Sequence, residues 1–415
     1  MEPSVHRITA PSAVYVVGGR HFEVGSTGFA EAIAGAHSSH LRPRCMCQTE
    51  GVEMYVAHLG DGYIVKRMPD TGSHHAPSCP SYEPPADFSG LGQVLGNAIT
   101  EDPATGETTL KLGFPLTKIP GRTVVPPAGG ESDSVSSSGT KLSLRGLLHY
   151  LWDQAGLTRW HPGFAGRRTW ATVRRHLLQA AEHKIALNDA LRPRLYVPEP
   201  FSVEERDAIN ARRLAHWQRA VTARGEPQHL MLLISEVKEI VPARYGFKAL
   251  VKHMPDQAFA IDEPLYRRLG RRFEPELALW GATDDIHMVM IATFGVSSTG
   301  IAAIHELSLM PVTRGWLPVE DGFEKQLVDM LVSDNRSFVK GLHYNLGSND
   351  RIASAVLIDC EGAAPMLFIA GQAEMPAGRH ETLPEHSSSA WIWRPSEEDI
   401  PMLPRAHRGR REDAG

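Results

Sequence analysis

The sequence predicts an α+β, multi-domain fold, and three observations carry that prediction. At 415 residues the chain exceeds what one core usually spans, so two to three domains are expected. A proline-, glycine- and serine-rich run at 126–139 interrupts it and buries too little apolar surface to offset its own ordering entropy. The hydrophobic period also changes along the chain. Strand-like runs occupy both ends and a three- and four-residue spacing the middle, without regular strand–helix alternation. The expected units are a β-rich N-terminal module over 1–122, a flexible linker at 123–140, a basic helical segment at 141–225, an α+β domain over 226–400 and a disordered tail at 401–415.

Each element has its own warrant. Residues 14–24 are β-rich with Gly18-Gly19 as a turn, and 29–36 reads as a short helix. Strands at 52–57 and 63–66 flank Gly60-Asp61-Gly62, a good hairpin turn, and 108–116 offers a further strand. Leu144, Leu147, Leu148, Leu151 and Trp152 recur at helical spacing until Pro162-Gly163 breaks the run. A second helix over 169–182 places Trp170, Val173, Leu177 and Leu178 on one face. A third is expected over 202–223, with Ser202 as N-cap and Glu204 and Glu205 in its first turn. Strands follow at 230–241, 258–261, 286–294, 301–309, 336–344, 353–359 and 366–370, with a helix at 323–332. Residues 267–280 read either way, and 404–415 is charged and without apolar anchors.

Composition bounds the class of function. With 42% hydrophobic and 22% charged residues, a net charge of −5 and a pI near 6.5, the chain is an ordinary globular protein and no wholesale nucleic-acid coat. The start lacks a basic and apolar leader, and no uncharged run approaches the roughly 18 residues of a membrane span. The longest apolar run, 288–296, suits a buried strand. A cytoplasmic setting is therefore expected, in which four cysteines stay reduced and serve metal or catalysis rather than disulfides.

Three of those cysteines share one region. Cys45-x-Cys47 lies just before the expected hairpin, and His74-His75 with Cys79 just after it. An antiparallel ribbon returns its ends to one place, so three thiolates and one imidazole would meet there. That is the closed four-donor set of a structural zinc site, with no position left for a reactive water. Cys45, Cys47, His75 and Cys79 are the expected ligands, His74 being able to substitute, and Arg42, Arg44, Lys66 and Arg67 would offset the site's charge. Zinc (Zn2+) is thus the expected cofactor, in a structural role. No base-and-orienter pair stands nearby to make a cysteine catalytic.

These cysteines, together with Leu148-His149-Tyr150-Leu151-Trp152, Trp160-His161-Pro162 and the stretch Arg336 to Asn345, resemble the bacterial domain of unknown function 1173 family over about 40–370. The resemblance implies a mobile-element setting, an integrative or conjugative element. It implies no activity and no catalytic residue.

Residues 141–225 hold 15 Lys and Arg against 7 Asp and Glu, +8 in a chain that is −5 overall. Arg167, Arg168, Arg174 and Arg175 surround a helix start and suit phosphate contacts in a helix-turn-helix-like unit; the bland alternative is a solvated face paired with Glu182, Glu204, Glu205 and Asp207. DNA or proteins of the conjugation machinery are the expected partners. A rival reading is a metal-dependent nuclease, or an inactive relative of one, built on Asp359 with Glu324 or with Glu236 of Glu236-x-Lys238. Its order is wrong, because the strand after Asp359 carries neither carboxylate nor lysine. Glu236 and Lys238 would then alternate outward on a half-exposed strand. Val17-Gly18-Gly19-Arg20 lacks phosphate-loop spacing, Trp391 and Trp393 suit a core edge, and Cys360 suits a small buried apolar position. The favoured expectation is a zinc-stabilised accessory or binding protein, more a binder than an enzyme.

Overall fold

The structure is a computed structural model, and it describes residues 13–59, 62–102, 105–118, 140–221, 227–344, 352–370 and 390–407. The expected linker at 123–140 lies almost wholly outside these residues, as do Gly60 and Asp61 of the expected hairpin turn. The fold is mixed α+β. Its helices among the described residues are α1 (Phe29–Ser38), α2 (Leu144–Gln154), α3 (Trp170–Ala180), α4 (Arg206–Trp217), α5 (Glu263–Arg272), α6 (Glu274–Ala282) and α7 (Gly322–Ser333).

The N-terminal sheet is antiparallel throughout, in the order Arg20–Glu23, Val14–Val17, Arg44–Cys45, Val52–Leu59, Gly62–Arg67. Gly18 and Gly19 take φ of 57° and 78°, the left-handed values that the tight turn between the first two strands requires. Helix α1 lies across this sheet and buries Ile33 and Ala36 against Tyr15, Val17, Phe22 and Met54.

The second large assembly is a closed barrel. In chain order its strands are Met231–Pro242, Phe247–Val251, Ala258–Ile261, Ile286–Val296 and Ala302–Thr313. The first pairs with the second, the second with the third, the third with the fifth, the fifth with the fourth, and the fourth back with the first. All pairs are antiparallel except the short parallel one between third and fifth. This is the five-stranded Greek-key ring of the oligonucleotide/oligosaccharide-binding (OB) barrel. The first strand serves two neighbours by bending. Residues 231–237 pair with the fourth strand and 237–242 with the second, with a bulge between Val237 and Glu239.

Side-chain alternation explains the apolar run at 288–296. Met288, Met290, Ala292 and Phe294 point into the barrel, where Trp217 of α4 and Leu265 and Leu269 of α5 also pack. Val289 and Ile291, with Leu232 and Ile234 of the first strand, point outward into a second core shared with Leu147, Leu148, Leu151 and Trp152 of α2 and Val173 and Leu177 of α3. Both faces are covered, so the sequence reads as continuous rather than alternating. The outer side of the second and third strands differs, since Lys248, Leu250, Ala258 and Ala260 are only half-buried.

The segment 141–225 does not stand apart. Arg159–Trp160 pairs with Phe338–Lys340, Lys184–Ala186 runs parallel to Thr108–Leu110, and Leu195–Tyr196 joins the first barrel strand. Strand Thr117–Lys118 likewise pairs with Gln228–His229. Pairings therefore cross the expected boundaries at 122, 140 and 225.

Several expectations need correction. Ser202 is not the cap of α4, which starts at Arg206 after Glu205; its hydroxyl donates to Glu204 at 2.6 Å and accepts from the Glu205 amide at 3.4 Å, in a turn that precedes the helix. The doubtful stretch at 267–280 is two helices, broken at Phe273 before the proline of α6. The strands expected at 108–116 and 336–344 shorten to Thr108–Leu110 and Phe338–Lys340. Strand Phe247–Val251 went unforeseen. The start of the tail is not disordered. Trp391 Nε1 donates to the Met402 carbonyl, Arg336 Nη1 to that of Pro404, and the His407 amide to that of Asp359. Trp391 and Trp393 are buried as expected, on the edge strand Ala390–Trp393.

Candidate metal centre

Cys45 ends the short strand Arg44–Cys45, and Cys47 sits two residues on, where the chain turns toward the ribbon. The two long strands of the ribbon, Val52–Leu59 and Gly62–Arg67, pair residue for residue. Their return brings a one-turn 3-10 helix, Gly72–His74, back beside the first pair of thiols. His75 is extended, and the amide of Cys79 closes a turn onto the Ala76 carbonyl. The hairpin thus does what its position in the sequence suggests.

The four donor atoms of Cys45, Cys47, His75 and Cys79 all lie within 4.8 Å of one another. Sγ of Cys45 is 3.7 Å from Sγ of Cys79, and Nδ1 of His75 is 3.3 Å from Sγ of Cys47 and 3.6 Å from Sγ of Cys79. These distances decide the chemistry. A tetrahedron with metal–sulfur bonds of about 2.3 Å and a metal–nitrogen bond of about 2.0–2.1 Å has edges of roughly 3.8 Å between sulfurs and 3.6 Å between sulfur and nitrogen. A disulfide needs about 2.05 Å and is not formed. The donors therefore fit a four-coordinate metal ion.

His75 is the buried histidine and His74 the exposed one, so the ligand left open by the sequence is His75. Backbone amides reinforce the thiolates, Ala76 N–H donating to Sγ of Cys47 and Ser81 N–H to Sγ of Cys79, each at 3.4 Å. The second ring nitrogen of His75 has no hydrogen-bond partner. Hydrogen bonding from Cys45, then from His75, pulls the Cys79 thiol down to about 4, while its bond to Cys79 and burial push the Cys45 thiol up. Burial, then the charge of Cys45, raises the Tyr15 phenol beside them to about 12.

The expected counter-charges are committed elsewhere. Arg42 pairs with Glu53 at 3.0 Å, Lys66 with Glu101 at 2.8 Å and Arg67 with Glu83 at 2.5 Å, while Arg44 donates to the Gly51 carbonyl.

A family model matches residues 15–396, nearly the whole chain, under the description "Protein of unknown function (DUF1173)". The chain belongs to that family. No curated protein and no solved structure gives a significant match to this DUF1173 chain.

The other residues singled out from the DUF1173 sequence fare differently. Arg168 is not free for a phosphate. Its guanidinium stacks on Trp160 and Phe164 and donates to the carbonyls of Leu157, Arg159 and Gly315. Arg174 donates to the Val197 carbonyl at 3.0 Å and is half-buried. Only Arg167 and Arg175 of the four are exposed. Much of the segment's positive charge is consumed internally, by acids partly outside it: Arg145 by Glu276 and Glu320, Arg213 by Asp256, Arg212 by Glu199.

The three nuclease carboxylates do not assemble. Asp359 is held by Arg336 at 2.7 and 2.9 Å and by the Ser337 amide. Glu324 pairs with Lys340 at 2.8 Å. Glu236 is buried rather than turned outward, and pairs with Lys252 at 2.5 Å and His287 at 2.6 Å. Each is tied to its own cation, and among the described residues the Cys3His cluster is the one group of this kind that could hold a metal. Cys360 is half-buried against Arg336. No helix among the described residues is long and apolar enough to cross a membrane.

Sequence reasoning missed the barrel surface. The loop between its first two strands carries Arg244 over the ring of Tyr245 at 5.4 Å, with Tyr245 81% exposed. The loop between its fourth and fifth strands ends at the exposed Ile301. Gly246 lies so close to the third strand that a Cβ there would stand 2.6 Å from the Ile261 carbonyl oxygen, while Phe259 pairs with Ala302. The two loops therefore sit at opposite ends of the third strand and bracket its half-buried outer side. An Arg-Tyr pair between a strand and a glycine was the available signal.

Proposed function

We propose that this protein is a zinc-stapled binding factor and that single-stranded nucleic acid is what it binds. Zinc is the metal because three thiolates and an imidazole at tetrahedral spacing suit it best, and the four protein donors leave no open position for water. Its role is structural. The setting is the cytoplasm, where thiols stay reduced for the metal, in an accessory protein of an integrative or conjugative element, as the family resemblance implies.

One observation carries the binding reading: the outer side of the second and third strands is left half-open, and it is bracketed by Tyr245 with Arg244 and by Ile301. OB barrels use that wall and those two loops to bind oligonucleotides. Tyr245 offers a face on which a base can stack, and Arg244 and Lys248 offer charge to the backbone. Small side chains at Ala258 and Ala260 let a strand approach closely. The basic helices, with two of four arginines engaged, are the weaker surface.

Fluorescence anisotropy with a labelled single-stranded 20-mer and the matching duplex tests this. Preferential binding of the single strand is expected, weakening as salt rises. Tyr245→Ala should loosen it roughly 5- to 100-fold, the worth of one stacked base. Equal affinity for the duplex, an effect of Arg175→Gln that exceeds that of Tyr245→Ala, or strand cleavage on adding Mg2+ would each overturn the proposal.

A further inference from the structure

A cavity of about 380 Å³ opens between the segment that follows Cys79 and the end of α2. That volume is in the range of small-molecule sites. The metal centre sets one of its walls, because Ser81, Tyr82 and Glu83 follow directly from Cys79. The opposite wall comes from Asp153, Thr158, Arg159 and the strand Phe338–Lys340 with Tyr344 beyond it.

The charges inside do not cancel locally. Glu83 is matched by Arg67 at 2.5 Å, and Glu101 by Lys66 at 2.8 Å and by the Tyr55 hydroxyl at 2.5 Å. Asp153 accepts from Thr158 Oγ1 at 2.9 Å, and burial pushes its carboxyl up, toward the neutral form. Arg159 is left. Its Nη2 donates to the Tyr82 carbonyl, and among the described residues no carboxylate lies within 4 Å of its guanidinium. Four of its five N–H donors then have no named acceptor. A half-buried guanidinium with no carboxylate in contact is left partly uncompensated. Beside it Tyr344 is buried, 2% exposed, and its hydroxyl closes no hydrogen bond, although it leans toward Asp153. A planar fork and a phenolic O–H facing one space are the donors of an oxyanion site. Phe88, Leu342 and Val356 give the same cavity apolar surface.

We propose that this cleft binds a small organic oxyanion, a carboxylate or a phosphate monoester on a ring-sized apolar body, with the oxyanion on Arg159 and Tyr344. The site is separate from the barrel face and stands whether or not nucleic acid binds there.

Calorimetric titration of the full-length, zinc-loaded chain tests it with four probes that share one ring: phenyl phosphate, benzoate, benzyl alcohol and benzylamine. At least one of the two anions should bind, and the neutral and cationic probes should bind about tenfold more weakly or not at all. Which anion binds tighter distinguishes a phosphate from a carboxylate ligand. Arg159→Gln should raise the dissociation constant about tenfold or more, and Tyr344→Phe about fivefold without changing the melting temperature. Asp153→Asn should preserve or strengthen anion binding. Should Arg159→Gln fail to fold, Tyr344→Phe carries the test, since it removes one unpaired oxygen. Benzylamine binding that Asp153→Asn abolishes, no binding of either anion up to about 10 mM, or an unchanged constant in Tyr344→Phe overturns the proposal.

Discussion

Replacing Cys79 by alanine removes one corner of the metal tetrahedron and leaves three donors in place. The size of the effect follows from the geometry. Structural zinc contributes apparent free energies of about 10–16 kcal/mol in small metal-folded domains. Shared equally among four donors, one thiolate accounts for about 2.5–4 kcal/mol, or roughly a hundred- to thousandfold in metal affinity. The same amount should appear in stability, because the ion binds the folded ribbon and not the unfolded chain. Competition against a chelator, read by elemental analysis, gives the first quantity, and denaturant unfolding gives the second. Cys360→Ala is the control. That thiol is half-buried beside Arg336 and outside the cluster, so metal affinity should not change and stability should fall by less than about 1 kcal/mol. Equal chelator midpoints for Cys79→Ala and Cys360→Ala would refute the assignment, since no arrangement with Cys79 as ligand permits it. His75→Ala against His74→Ala repeats the comparison for nitrogen, with loss expected only for His75.

Three further outcomes are expected. Lys340→Met strands the Glu324 carboxylate, whose pair is 2% and 6% exposed; unfolding should cost about 3–5 kcal/mol less than in the wild type, and adding Glu324→Gln should restore a good part of that. Arg168→Ala should destabilise by about 2–4 kcal/mol through three abandoned carbonyls and two ring contacts, whereas Arg175→Ala should stay within about 0.5 kcal/mol in the same measurement. Burial, then Lys118, lowers the His305 imidazole from 6.5 to about 4, so the fold holds it neutral. Its stabilisation is complete above about pH 6.5 and fades as the pH falls toward 4. The melting temperature of the wild type should therefore drop more steeply than that of His305→Asn across that window, metal loss in acid being common to both.

The metal centre was legible because its logic is local. Two thiols, a ribbon of paired strands and a His-x3-Cys return suffice to bring four donors together, and no distant residue is needed. The sequence favoured His75 and left His74 as a substitute; the decision rests on which ring the one-turn helix at 72–74 leaves facing inward, and that ring is His75. The run at 288–296 read correctly as a buried strand, since covering both faces writes itself into the residues. Ring closure did not, because it rests on the register between residues as far apart as Met231 and Phe294 and on a five-residue strand with a lysine in it. The arginines of the middle segment misled for a related reason. A count of charges weighs Arg168 against acids, and its partners are backbone carbonyls that sequence spacing hides. Ser202 has the residue type of a cap, but the turn it closes onto the Glu205 amide ends before the helix, which begins four residues later.

Strand Ile286–Val296 gives Met288, Met290, Ala292 and Phe294 to the barrel interior and Val289 and Ile291 to the core beneath α2 and α3. Neither compartment has a lining of its own along this stretch; they share a party wall. Loosening one side withdraws packing from the other, so the two cannot melt in succession. Calorimetry should find a single endotherm for both, and lesions far apart, in α2 and in the barrel, should lower the same transition.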